Sequence, residues 1–299
     1  MSESGSTQDA KSVLRTLAEI YPQLYLTPGD EGARLWQDIV RRGDDAPTHS
    51  LDHFHGSDQD SLEEEQTPAG PVRVVTLGNR EDFETFLQIM ACKCVPTEIP
   101  ATQGASMLDG VVNWTKIRAH KAEWLAEGGQ EENWPEDFKS FTSDRSNYTD
   151  ALVVLSTGPY SAVPAADAGM GEEEWLAASL QIRRAHECTH FICRRLYPDK
   201  KDAIWDELAA DAVGLYAAFA RYDLRLACLF LGIDKSGYTG GRLENYATEE
   251  DDLNALAQKV CRMLLRLEDY INSRSQTAPY DLAISLEEDV YEIWKSGNL

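Results

Sequence analysis

Apolar positions recur at helical spacing near the start of the chain, with Val13, Leu14, Leu17 and Ile20 over about 11–21 and Leu35, Trp36, Ile39 and Val40 over about 30–42. The pattern then lapses. Residues 43–71 are rich in Asp, Glu, Ser, Gly and Pro and read as a solvated loop or linker. Val72-Arg-Val-Val-Thr-Leu-Gly78 has the β-branched content and terminal glycine of a strand, and a helix is predicted from about 80 to 93. Residues 98–117 read as irregular, with Val111 and Val112 as candidate strand residues, and a Trp- and Glu-rich helix is expected within 113–140. Ala151-Leu-Val-Val-Leu-Ser-Thr-Gly158 is the second clear strand. Beyond it the pattern is almost wholly helical, over about 172–196, 202–221, 251–273 and 281–295. The layout predicts an α+β fold, a mixed N-terminal half followed by a helical half, divided into residues 1–70 and 71–299. Residues 1–10 read as a loose tail.

Composition narrows the function classes. The chain has 299 residues, 28 Lys+Arg against 51 Asp+Glu, and a net charge of −23. Such a field repels phosphate backbones and anionic lipid heads, so nucleic acid and membrane surfaces are not expected as partners, whereas a basic peptide would be attracted. No apolar run approaches the roughly 18–20 residues needed to cross a bilayer. The polar start MSESGSTQDAKS lacks a signal-peptide pattern, so a cytoplasmic location is expected. The six cysteines, Cys92, Cys94, Cys188, Cys193, Cys228 and Cys261, read as reduced core thiols, and Cys92-Lys-Cys94 has no matching second pair for a zinc knuckle. His49, His53 and His55 lie in the acidic loop and read as solvated.

The candidate chemistry sits in Arg184-Ala-His-Glu-Cys-Thr-His190. His186 and His190, four residues apart, differ by about 40° on a helix and present both imidazoles to one ion. Glu187, at the edge of that face, is positioned to take a proton from a metal-held water without ligating. A catalytic site needs a third protein ligand. The next helix offers Glu207, 17 residues beyond His190, beside small residues Ala210, Gly214, Ala217 and Ala218 that permit close helix packing. Asp211, one turn further, is the expected acceptor for the second ring N–H of His186. Asp206 is the rival ligand, pointing about 100° away. Candidates for an oxyanion-stabilising group are Tyr238, Arg242 and Tyr246 of the glycine-rich segment 237–246, together with Tyr160.

His186-Glu187-x-x-His190 with the later Glu207-x-x-x-Asp211 resembles the gluzincin branch of the zincin metallopeptidases, the group that contains thermolysin, over about residues 150–220. The resemblance implies Zn²⁺ held by His186, His190 and Glu207, with Glu187 as general base. It also implies a small sheet above the active-site helix, whose edge strand, drawn from 98–117, pairs with an extended peptide. The expected activity is that of an intracellular zinc metallopeptidase acting on a peptide or protein. The alternative is a catalytically inactive zincin scaffold that serves binding or regulation, with the acidic surface as its docking face.

Overall fold

The computed structural model describes residues 10–248 and 252–297, which leaves the expected tail at 1–10, except its last position, outside the described residues. The fold is α+β. The chain divides into two compact units that interleave along the sequence: one takes residues up to Glu63, Arg73–Ile99 and Leu108–Ser156, the other Glu64–Val72, Pro100–Met107 and Thr157 onward. Gly70, where the expected boundary lies, is the first residue of the second of two consecutive strands.

The first unit begins with α1 (Ser12–Ile20), which buries Leu14, Leu17 and Ala18, and α2 (Asp30–Gln37), whose Asp30 and Glu31 suit the positive end of the helix dipole. Strands β1 (Ser61–Thr67) and β2 (Gly70–Leu77) lead to α3 (Arg80–Met90), capped by the Asn79 side chain accepting from the Asp82 amide. Then come β3 (Ala105–Val112), α4 (Trp114–Ala126), α5 (Trp134–Phe141) and β4 (Thr149–Ser156); of these strands, Glu64–Val72 within β1 and β2 and Ala105–Met107 of β3 belong to the second unit. The sheet order is β1-β2-β4-β3, so β1 and β3 are its edges. Central strands β2 and β4 run parallel, with Val74 opposite Val153 and Val75 opposite Val154, all fully buried. Burial on both faces explains why these two strands, unlike the others, are predominantly apolar in the sequence, with Leu152–Leu155 continuous in β4 and Arg73 and Thr76 the polar exceptions within Val72–Leu77 of β2.

Edge strand β1 is where the sequence expectation fails: it lies inside the stretch read as linker because SLEEEQT carries the charges that protect an edge from pairing and has little apolar alternation. Edge strand β3 contains the candidate strand residues Val111 and Val112 but begins earlier in the stretch read as irregular, its pattern interrupted by Asp109 and by Gly110 at φ 71°. The helix expected within 113–140 is two helices.

The second unit contains α6 (Ala165–Ala168), α7 (Glu172–Leu196), α8 (Ala203–Phe219), α9 (Leu224–Leu231), a short hairpin of β5 (Ile233–Asp234) and β6 (Gly237–Tyr238), α10 (Leu253–Asn272), α11 (Pro279–Asp289) and α12 (Tyr291–Ser296). The last two replace the single helix expected over 281–295. Helix α7 opens on three glutamates and closes on Arg194 and Arg195, both favourable to its dipole. Asp202 caps α8, accepting from the Ile204 and Trp205 amides, and its other oxygen accepts from the Trp294 indole at 2.9 Å. Helices α7 and α8 pack closely where Gly214 faces Ile182: a Cβ at Gly214 would lie 2.9 Å from the Ile182 carbonyl oxygen. Among the described residues no helix is long and apolar enough to cross a membrane.

Candidate metal centre

Helix α7 carries His186 and His190 on one face, and α8 brings Glu207 to them. The two Nε2 atoms stand 3.0 Å apart; Glu207 Oε2 is 3.5 Å from His186 Nε2, and Oε1 is 3.4 Å from His190 Nε2. Zinc bonds of about 2.0–2.1 Å at tetrahedral angles require donor atoms roughly 3.3 Å apart. The two imidazole nitrogens and the Glu207 carboxylate converge near that spacing, Oε2 towards His186 and Oε1 towards His190, and one ligand atom from each of the three residues lies within 4.8 Å of the others. Two imidazoles and a carboxylate are also the donor chemistry of a zinc site with an open fourth position. Among the described residues this is the one group of three or more His, Cys, Asp or Glu side chains able to hold a metal ion.

A buried polar ring fixes these groups from behind. Asp211 Oδ1 lies 2.9 Å from His186 Nδ1 and accepts from the Tyr160 hydroxyl at 2.6 Å. With the Tyr160 proton directed to Asp211, the same carboxylate takes the Nδ1–H of His186, leaving the Nε2 lone pair facing Glu207 and His190. Asp211 Oδ2 accepts from the Arg242 guanidinium, which also stands 3.9 Å from Glu207 Oε2. Tyr246 donates to Glu207 Oε2 at 2.8 Å. Burial opposes ionisation of Glu207, but the hydrogen bond from His190 and the charges of His186, His190 and Arg242 outweigh it and bring its carboxyl down to about 2. For Asp211 burial is likewise overcome, chiefly by Arg242 and His186, and the carboxyl lies well below the usual range. Burial alone would lower the His186 pKa; the Asp211 hydrogen bond and the charges of Glu207 and Asp211 raise it instead.

Glu187 is 8 % exposed and borders a cleft of about 380 Å³ that the metal cluster also lines. Its carboxylate makes no hydrogen bond or ion pair with another described residue, in contrast to Glu207 and Asp211. Of the oxyanion candidates, Tyr160, Arg242 and Tyr246 line the cleft. Tyr238 does not; its hydroxyl donates to Glu244 at 2.8 Å, and the Gly241 carbonyl lies at 3.0 Å. Asp206 stands outside the cluster, half-buried, with burial raising its carboxyl to about 6.

The remaining candidate ligands are engaged separately. His49 stacks on Tyr25, His53 meets the Leu24 carbonyl at 3.0 Å, and His55 meets Glu81 at 3.0 Å. All six cysteines are free thiols, Cys94 and Cys188 buried and the others half-buried, and burial pushes the Cys188 thiol up to about 12.

Arg183 and Arg194, which line the cleft from α7, are not among the residues named from the sequence, and residues of segment 100–107, inside the stretch from which the resemblance draws an edge strand, line it from β3 and the loop before it. The arginines were findable: positions 183, 186, 187, 190 and 194 form one helical stripe. The loop was not, because nothing in Pro-Ala-Thr-Gln-Gly-Ala marks proximity to a helix far along the chain.

Over residues 6–278 the chain matches a family described as "Family of unknown function (DUF7005)", and it belongs to that family. No curated protein and no solved structure matches it.

Proposed function

We propose that the chain is a zinc-dependent hydrolase of the zincin type, acting as a metallopeptidase. The observation that carries this reading is the convergence of His186, His190 and the two carboxylate oxygens of Glu207, at contacts of 3.0–3.5 Å, beside a cleft bordered by the unengaged carboxylate of Glu187. A structural zinc site needs neither an open position nor an adjacent base.

Zinc, when bound, supplies Lewis-acid polarisation of a carbonyl and a lowered pKa for water. The protein's own groups do the rest. Glu187 accepts the proton of the attacking water on a carboxylate oxygen and delivers it to the departing amine. Asp211, braced by Tyr160 and Arg242, holds His186 in the tautomer that presents Nε2 to the metal. Arg242, whose Nε–H is not used in a hydrogen bond, is the donor on the cleft wall for a developing oxyanion, because the hydroxyl protons of Tyr160 and Tyr246 go to Asp211 and Glu207. Ala105–Met107 of edge strand β3 also line the cleft, which supports pairing with an extended peptide there and hence the zincin-like architecture.

Two variants test the reading with randomised peptide libraries and metal analysis. Glu187→Gln is expected to keep zinc and lower cleavage at least about 100-fold, whereas Glu207→Ala loses both. Zinc retained in the wild type without any cleavage, and no effect of Glu187→Gln, would assign the chain to the inactive-scaffold alternative.

A further inference from the structure

We infer that this site takes acidic substrates, and that Arg194 binds a substrate carboxylate about two to three residues from the scissile bond. The inference rests on the hydrolase reading and adds its substrate class.

The cleft has a charge balance opposite to that of the chain. The whole protein carries −23, yet the cleft is lined by three arginines, Arg183, Arg194 and Arg242, against two glutamates, Glu187 and Glu207. Glu207 belongs to the metal cluster, so a bound divalent ion makes the lining more positive still. A low-dielectric cleft focuses such a local field, so substrate charge is selected by the lining and not by the distant acidic surface.

The three arginines are not equivalent. Arg242 is committed to Asp211, and Arg183, 3 % exposed, donates to the carbonyls of Gly158 and Pro159. Arg194 is exposed, one turn beyond His190 on the same stripe of α7, and its guanidinium makes no hydrogen bond or ion pair among the described residues. A planar fork of donors left open at the mouth of a cleft matches a carboxylate in two-point geometry. Measured along the helix axis, Arg194 lies about 9 Å from the midpoint of the two histidines. An extended peptide advances about 3.3 Å per residue, which sets the two-to-three-residue offset. A carboxylate at that distance comes from a free C-terminus or from an Asp or Glu side chain.

The test uses the zinc-loaded full chain carrying Glu187→Gln to prevent turnover, titrated calorimetrically with octapeptide pools of randomised neutral residues. The pools are prepared with a free C-terminus, with an amidated C-terminus, and amidated with one Asp scanned through each position. One or both carboxylate-bearing forms are expected to bind about tenfold tighter than the plain amide. Adding Arg194→Gln should abolish that preference, and Arg194→Lys should restore part of it. Equal binding of all pools, a preference that survives Arg194→Gln, or no binding by any pool would overturn the inference. Cleavage by the chain with Glu187 intact is scored separately. Selective binding without turnover defeats the hydrolase reading alone, and turnover indifferent to substrate charge defeats this inference alone.

Discussion

At the scale of single residues, His186 depends on what stands behind it. Its Nδ1 meets an Asp211 carboxylate that also serves Tyr160 and Arg242. Asp211→Asn keeps an acceptor near the ring but removes the charge that raises ligand basicity and balances Arg242. Zinc affinity is expected to fall about 10- to 100-fold, read by competition with a chromogenic chelator; unchanged affinity would show that Asp211 does not tune the metal. Glu287 on α11 is a second buried carboxylate, 1 % exposed, and it lies apart from the metal cluster. The Trp205 indole donates to Oε1 at 2.7 Å, while Oε2 makes no hydrogen bond. Burial raises its carboxyl above the ordinary value, outweighing Trp205, Lys200 and Cys193. The folded state therefore holds this proton more tightly than the unfolded chain. The site carries no penalty below the unfolded pKa, and the penalty grows as pH rises until it is complete above the folded pKa. Glu287→Gln retains the acceptor for Trp205, so its stability relative to wild type should increase from pH 4 to pH 8 by about 1 kcal/mol. A difference in melting temperature that is flat or falls with pH would contradict this.

At the scale of elements, the metal cluster depends on two helices held at close range. Gly214 sets that range, since a Cβ there would meet the Ile182 carbonyl oxygen at 2.9 Å and the Ile182 side chain at 3.0 Å. Replacing glycine by alanine in a helix ordinarily adds about 1 kcal/mol of stability. Here Gly214→Ala is expected to destabilise by about 1–3 kcal/mol through overpacking, and to weaken zinc binding by moving α8 away from α7. A rise in melting temperature with unchanged zinc affinity would show that the approach is not limiting. The long helices were legible because their apolar periodicity persists through many turns, as in Leu253, Leu256, Val260, Leu264, Leu267 and Ile271. The buried strands β2 and β4 were legible for a related reason, their concentration of valine and leucine, Val72, Val74, Val75 and Leu77 in one and Leu152–Leu155 in the other. Edge strand β1 was not, because an edge keeps charged sequence and borrows its order from the neighbour it pairs with, and β3 was legible only in part, at Val111 and Val112. The short α9, Leu224–Leu231, also went unread; its apolar run spans barely two turns.

At the scale of the whole molecule, the sequence carried the local part of the site as a motif and offered the long-range part only as a set of candidates, Arg242, Tyr246 and Tyr160 among them. The motif on α7 and the glutamate on α8 are close in the chain, and a helix, a turn and a returning helix are enough to bring them together. Arg242 and Tyr246 approach from a segment beyond α9, and Pro100–Met107 from a segment preceding β4; no spacing rule connects them to the motif. The net −23 suggests a basic partner, whereas the proposed acidic substrate rests on the cleft lining, to which α7 itself contributes Arg183 and Arg194 beside Arg242. The central claim, however, concerns only three side chains and one divalent ion. Its most direct test is the zinc content of the purified chain after equilibration with limiting zinc, compared with Glu207→Ala. The account predicts one zinc per wild-type chain and loss of that zinc in the variant; wild-type protein without bound zinc, or a variant that retains it fully, would contradict the account.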